Sequence, residues 1–346
     1  MKSLRTVILL AAAVAVVVCA SFSWRYLRDN KLPNFREPAD IYVYPETTAE
    51  EALAEIADKG DARSIRSLER TFRKKRVGEY ITPGHYSVGP SSSSVYVARM
   101  LNNGWQTPVK VTLSGNLRLK GNIAAKISSQ LLLDSATVRK ALDDDELLGR
   151  YGFDSGNVFA LLMPATYEMY WTASVEDFLG RQKEAYDAFW TPENDAKAEA
   201  VGLSRMEVSI LASIVDAETN SEAEMPLIAG VYLNRLSLGM PLQADPTVAY
   251  CFDYSINRVL NKHLQVDSPY NTYRHAGLPP GPICVPCREA LLAVLNPDYG
   301  GERGRGNLFF CANPDFSGTH LFARTLSEHN RNAAAYRKAL RECNIS

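Results

Sequence analysis

The chain has 346 residues, 46% of them hydrophobic, and a formal net charge of -1. Such a composition excludes an intrinsically disordered chain and gives no basis for nucleic-acid binding by bulk electrostatics. The length accommodates two or more domains with real cores.

Lys2 and Arg5 precede Thr6 to Trp24, a run without charge made mostly of Ala, Val, Leu and Ile. About 19 such residues suffice to cross a bilayer core. The run reads as an uncleaved single-pass anchor. A cleaved signal peptide competes, but its apolar region is usually shorter. Cys19 raises a lipoprotein reading, against which stands Val18, bulkier than the small residue such a cleavage site prefers. Arg25, Arg28 and Lys31 follow the span, so the local charge rule does not orient it.

Asn30 to Ala39 reads as a polar linker, and Asp40 to Pro45 alternates as a strand does. Thr47 or Thr48 then caps a helix from Ala49 to Lys59, and Ser64 to Lys75 forms a second. Pro83 to Tyr86 is a turn into a short strand, and Ser91 to Ser94 leads into a helix, Val95 to Asn102. These pieces make a small α+β module.

Val109 to Leu113 is a strand, followed by helices Leu119 to Leu132 and Ser135 to Leu142 and by a solvated helix start at Asp143 to Glu146. Phe159 to Trp171 is an aromatic-rich strand or loop. Helices follow at Val175 to Trp190, Ser204 to Thr219 and Glu224 to Leu236. Gln243 to Gly281 reads as largely irregular. Arg288 to Leu295 is a helix, Leu308 to Ala312 and Gly318 to Ala323 form a hairpin, and Ser327 to Glu342 is a terminal helix.

Six cysteines are present, at 19, 251, 284, 287, 311 and 343. Cys284-Val-Pro-Cys287 with Cys251 and Cys311 makes a four-thiolate zinc site conceivable, but the spacing is irregular and a second CxxC is missing. One or two disulfides are the preferred expectation outside the cytoplasm, with no metal.

The chemistry concentrates around one carboxylate. Val208, Leu211, Ile214 and Val215 recur at helical spacing, and Glu218 extends that apolar stripe whereas Asp216 points elsewhere. Desolvation raises a carboxyl pKa, as a general acid near neutral pH requires. The alternative is a glutamate at a fraying helix end, in water or paired with an arginine. About two dozen residues on, Leu242-Gln-Ala-Asp-Pro-Thr-Val-Ala-Tyr250 has the polar side chains of a sugar-binding cleft.

From Leu211 onward the chain resembles the YceG-like endolytic murein transglycosylases. The matching blocks are Ala212-Ser-Ile-Val-Asp-Ala-Glu-Thr219, Val231-Tyr-Leu-Asn-Arg-Leu236 and Gly239-Met-Pro-Leu-Gln-Ala-Asp-Pro-Thr-Val248. Tyr270-Asn-Thr-Tyr273, Gly277-Leu-Pro-Pro-Gly-Pro-Ile283 and His329-Asn330 complete them. The N-terminal half fits the family by layout, notably at Pro83-Gly-His-Tyr86. The chain departs from the family at Asp216, where glutamate is usual, at Ala165 in Pro164-Ala-Thr-Tyr167, and at Cys284 and Cys287.

The resemblance implies an α+β fold: a tail and transmembrane anchor over 1–29, a small LysM-like module over 30–107, and a mixed α+β catalytic domain over 108–346 with a lysozyme-like helix carrying the catalytic glutamate. It implies Glu218 as that residue, cutting glycan strands of peptidoglycan at the inner membrane on the periplasmic side without a cofactor. It also implies penicillin-binding proteins or other cell-wall synthases as neighbours. One carboxyl serves as acid and then base while the muramoyl C6 hydroxyl closes a 1,6-anhydro ring.

Asn234, Gln243, Asp245, Thr247, Tyr270, Asn271, Tyr273 and Pro280 are candidates for the substrate cleft. Packing, turn-capping and turn-shaping roles compete at several of them, a structural role is preferred for Arg235, and a lone His329 is more often structural. Two further readings stay open: a muramidase-type hydrolase in which Asp245 activates water, and a non-catalytic glycan-binding scaffold.

Overall fold

The structure is a computed structural model that describes residues 2–115 and 117–343. Met1, Asn116 and residues 344–346, which belong to the expected anchor and catalytic segments, lie outside the described residues. The chain forms two compact units. One comprises Met1–Val111, Gln130–Leu132 and Tyr167–Ala173, and the other comprises Thr112–Ser129, Leu133–Thr166 and Ser174–Ser346.

The first unit begins with helix α1 (Lys2–Asn30). Its stretch Leu4–Asn30 is long and apolar enough to cross a membrane, and its Leu and Val side chains stand exposed. At about 1.5 Å per residue it exceeds the roughly 30 Å of a bilayer core. Its C-terminal end is tied down, because Asp29 pairs with Arg70 at 2.7 Å and accepts from Ser67 Oγ at 2.6 Å.

Then come β1 (Ala39–Val43), α2 (Ala49–Lys59), α3 (Ile65–Lys75), the short α4 (Val77–Tyr80), β2 (Gly84–Val88) and α5 (Ser94–Asn102). Thr48 and Glu51 form a capping box at the start of α2, and Ser64 and Ser93 cap α3 and α5. Strand β1 alternates buried and exposed, as its pattern requires, and pairs antiparallel with β2 with Ile41 opposite Tyr86. Phe35, Ile41, Ile56, Leu68, Tyr86 and Leu101 close the core of this unit.

A short strand, β3 (Val109–Thr112), begins the passage into the second unit. Helices α6 (Lys120–Ser128), α7 (Ser135–Ala141) and α8 (Asp145–Gly149) follow, and β4 (Thr166–Met169) pairs with β3. The helix α9 (Val175–Phe189) carries a capping box from Ser174 and Asp177. An element that the hydrophobic pattern does not signal comes next, α10 (Pro192–Val201). Thr191 caps it, Pro192 occupies its first turn and Gly202 ends it in the left-handed region, so its signals are terminal and not periodic. It buries little beyond Ala198 and Val201.

At the centre lies α11 (Arg205–Glu218), started by a Ser204–Glu207 capping box and packed on α12 (Met225–Ser237) and α14 (Arg288–Leu295). Gly230 lets α12 approach the backbone at Asp298, since a Cβ there would lie 2.0 Å from the Asp298 carbonyl oxygen. The segment expected to be irregular contains a helix, α13 (Asp245–Tyr250), with Pro246 in its first turn, and a single turn at His263–Gln265. Its brevity hides it from periodicity. The hairpin β5 (Phe309–Ala312) and β6 (His320–Ala323) forms with Phe310 opposite Phe322, and α15 (Leu326–Glu342) follows.

The expected disulfides do not form: the six cysteines are free thiols, and no metal-binding group of His, Cys, Asp or Glu occurs among the described residues. The two CxxC sulfurs have other occupations. Cys284 Sγ is buried and donates to the Ser213 carbonyl at 3.3 Å, and Cys287 Sγ accepts from Ala290 N at 3.4 Å, capping α14.

Candidate active site

Glu218 is the last helical residue of α11, and the extended backbone of Thr219 turns the chain away behind it. The apolar stripe beneath it is wholly buried, whereas Glu218 itself is half-buried. Tyr232, one helix over on α12 and 2% exposed, donates its phenol to Glu218 Oε1 at 2.6 Å. Burial pushes the Glu218 carboxyl up to about 7, with a smaller push from the charge of Asp245. The Tyr232 hydrogen bond and the Arg235 guanidinium act against that rise. Tyr232 itself is raised well above the usual phenol range, chiefly by burial, so it remains a donor at neutral pH.

Arg235 lies three residues after Tyr232, on the same face of α12. Its guanidinium donates to the carbonyls of Leu308 and Leu242 at 2.7 Å each and sits over the Phe309 ring at 5.2 Å. It therefore tethers both the Leu242 loop and the β5 hairpin. Gln243 in that loop has a positive φ of 53°, uncommon for a residue with a Cβ, and holds the turn through its N–H to Thr272 O at 3.1 Å. Asp245 opens α13, and Oδ1 accepts the Tyr273 phenol at 2.6 Å. Two tyrosine–carboxylate pairs thus serve one cleft.

Glu218, Tyr232, Arg235, Gln243, Asp245, Tyr273, Phe309, Phe310 and His329 line an open cleft of about 360 Å³, with Leu242 and Leu326. The volume suits a small-molecule or sugar-sized ligand. A second cleft of about 410 Å³ also has Glu218 and Asp245 in its wall. Glu218 therefore lies where two clefts meet.

Among the expected cleft residues, the fold brings Gln243, Asp245 and Tyr273 to Glu218 and keeps others away from the lining. Asn234 is fully buried and holds backbone, donating to Tyr299 O and Asn307 O at 3.2 and 2.9 Å and accepting from Gly304 N at 2.7 Å. Asn271 is likewise buried and donates to Leu264 O and Val266 O. Thr247 is buried, with its hydroxyl bonded to Ala244 O and Thr272 Oγ1, and so braces the loop from behind. Tyr270 packs on Tyr250 with centroids 4.6 Å apart, and Pro280 is exposed but lines neither cleft.

The lining also includes residues that received no cleft role from the sequence: Tyr232, Arg235, Phe309 and Phe310. Tyr232 lies inside the Val231–Leu236 block and is fourteen residues from Glu218, yet only packing of α11 on α12 joins them. His329 of α15 reaches the cleft, stacks on Phe309 at 5.4 Å, and has a buried Nδ1 that finds no hydrogen-bond partner among the described residues. Burial lowers its pKa, with Arg235 and Arg337 adding to the effect, so the ring is neutral at pH 7. Asp216 faces the other side of α11, against Cys287 and Cys284, and burial raises its pKa.

The sequence profile of the YceG-like family matches residues 41–335. A Bacillus subtilis (strain 168) protein called endolytic murein transglycosylase is 28% identical over 311 residues, 84% of this chain and 83% of that protein. A Streptococcus pneumoniae (strain D39) protein of the same name is 24% identical over 350 residues, 91% of this chain and 62% of that protein. Among solved structures, a YceG-like protein from Listeria monocytogenes superposes with a TM-score of 0.56 at 26% identity, covering 85% of this chain and 98% of that one.

Proposed function

Because the chain belongs to the YceG-like family, we propose that it is an endolytic murein transglycosylase: it cuts the β-1,4 bond between N-acetylmuramoyl and N-acetylglucosaminyl residues inside peptidoglycan strands and leaves a 1,6-anhydro end. One observation carries the assignment of the acid. Glu218 is poised near pKa 7 at the junction of two clefts, with one carboxyl oxygen engaged by Tyr232.

The phenol on Oε1 leaves Oε2 to carry the transferable proton. Oε2 gives that proton to the leaving glycosidic oxygen as the C1–O bond breaks. The carboxylate then takes the proton of the muramoyl C6 hydroxyl, whose oxygen closes on C1, and water is not consumed. General acid–base help of this kind is worth about 10²–10⁴-fold in rate. Arg235 and the neighbouring Tyr232 keep a carboxylate tolerable once the proton has left. Gln243, Tyr273 and His329 offer hydrogen-bonding groups to the sugars, and Phe309 and Phe310 offer aromatic faces.

The apolar α1 serves as the membrane anchor, with the chain after it on the periplasmic side, where the polymer is. Residues 30–107 run β1–α2–α3–α4–β2–α5, in which a helical segment joins two paired antiparallel strands, and this fits a LysM-like glycan-binding module. An anchored enzyme of this kind works beside penicillin-binding proteins or other cell-wall synthases and limits nascent strand length.

A hydrolase reading has one observation of its own, since Asp245 shares both clefts with Glu218. Mass spectrometry of products from purified sacculi treated with the full-length protein in detergent separates the two. Anhydromuramoyl ends that disappear in Glu218→Gln are the expected result. Reducing ends, one water heavier, that disappear in Asp245→Asn would replace the transglycosylase with a hydrolase. Sacculus binding without products would leave a scaffold.

A further inference from the structure

The two clefts that meet at Glu218 differ in their chemistry. In the first, the cation is Arg235, and its guanidinium is committed to backbone carbonyls. The second is lined by Arg118, Ala217, Pro246, Ala249 and the segment Tyr254–Val259, which contributes Ile256, Asn257 and an exposed Arg258. Two guanidinium groups thus line one groove together with the proposed acid. Glu218 and Asp245 share its lining, and the charge of Arg118 also acts on Asp216.

The groove is built. Asp253 and Tyr254 both hold left-handed backbone, with φ of 51° and 54°, a costly conformation for residues with side chains. That turn seats the Tyr254 ring, whose phenol donates to Ile283 O at 2.7 Å. Arg118 lies over the ring at 5.1 Å, a cation–π contact. A planar guanidinium held against an aromatic face suits fork-like recognition of a carboxylate, for which lysine is a poor substitute. A neutral sugar has no need of it. In murein, alternate sugars carry an acidic peptide on the lactyl group, and its carboxylates are the nearest anions to a glycosidic bond under attack.

Resting on the reading of Glu218 as a murein transglycosylase acid, we propose that the Arg118–Arg258 groove binds the carboxylates of the stem peptide on a muramoyl residue next to the scissile bond. The enzyme thereby selects peptide-bearing stretches of strand over naked glycan. Asp245, in the same lining, repels a carboxylate that would approach the acid.

The test uses the full-length protein in detergent, with peptide-bearing glycan strands and the same strands stripped of peptide by an amidase. Wild-type protein is expected to cleave the peptide-bearing strands with the lower KM. Arg258→Glu is expected to raise that KM about tenfold, to leave kcat within a factor of two (about the resolution of the assay), and to change the KM for naked strands by much less. Arg258→Lys is expected to fall between them. Equal KM on both substrates for the wild type, or an Arg258→Glu effect of the same size on both, overturns the proposal while leaving the transglycosylase intact. Absence of anhydromuramoyl products from either substrate with the wild type removes the transglycosylase and this proposal with it.

Discussion

Replacing the proposed acid by its neutral isostere, Glu218→Gln, is expected to abolish turnover and to stabilise the protein above neutral pH. Burial lifts the folded-state pKa from the ordinary 4.5 to about 7. Below pH 4.5 the carboxyl is protonated in both the folded and the unfolded chain, and its burial costs nothing extra. Between 4.5 and 7 the unfolded chain releases the proton while the folded chain retains it, so stability declines as pH rises. Above 7 the decline is complete.

At about 1.36 kcal/mol for each pH unit, a rise of this size costs roughly 3 kcal/mol. Glutamine removes the titration but keeps a carbonyl oxygen where Oε1 accepts the Tyr232 phenol at 2.6 Å. The variant should therefore be up to about 3 kcal/mol more stable at pH 8, a gain of roughly 6–12 °C in Tm for a unit of this size. At pH 4.5 the two proteins should melt together. Thermal unfolding of both full-length proteins in one detergent at the two pH values is the assay. Equal Tm at pH 8, or the same gap at both pH values, would refute the claim that Glu218 is held protonated by burial.

Tyr232→Phe removes a donor that favours the carboxylate, so the Glu218 pKa should rise further. The fall of rate with pH, expected near 7 in the wild type, should move upward by about one unit, as the loss of a hydrogen bond to a charged group implies. A pH–rate profile in which that limb stays put or moves down sinks the assignment. Gly230→Ala puts a methyl 2.0 Å from the Asp298 carbonyl oxygen, which must move, and should cost about 3 kcal/mol or more in denaturant unfolding. Glu224 is buried and accepts from His320 N and Nδ1 at 2.7 and 3.0 Å, which anchors the hairpin bearing Phe309 and Phe310. Glu224→Ala should cost about 1–3 kcal/mol and raise KM more than it lowers kcat. Since the cysteines are free thiols, dithiothreitol should change neither Tm nor activity, whereas a drop in Tm on reduction would reveal a disulfide.

Elements whose signals lie within a few residues were legible in the sequence. The cap at Thr47 or Thr48, the alternation of β1, the stripe of α11 and the hairpin at residues 309–323 each rest on contacts between near neighbours in the chain. Where periodicity was the guide, it failed on short or uniformly polar helices. The helix α10 buries too few side chains to show a stripe, and α13 spans less than two turns, too few for a period. Expecting disulfides from composition failed because pairing depends on where the sulfurs point, and Cys284 and Cys287 are turned to backbone partners.

The same division runs through the site. The spacing of Glu218 from Leu211, Ile214 and Val215 put it on the buried stripe of a helix but left a solvated helix end open, and the family resemblance made it the candidate acid. Which polar residues of the later blocks meet it was not so fixed. An asparagine that reads a sugar and one that holds backbone are the same letter, and only packing turned Asn234 and Asn271 inward to satisfy carbonyls. Tyr232 and Arg235 became partners of Glu218 because α11 packs on α12, and Phe309, Phe310 and His329 joined because the C-terminal hairpin and helix close over them. The sequence by itself pointed to an apolar N-terminal helix, to Glu218 as the candidate acid and to the family. The tertiary structure decided its partners and its two-sided cleft, since those depend on contacts between residues distant in the chain that no local pattern encodes.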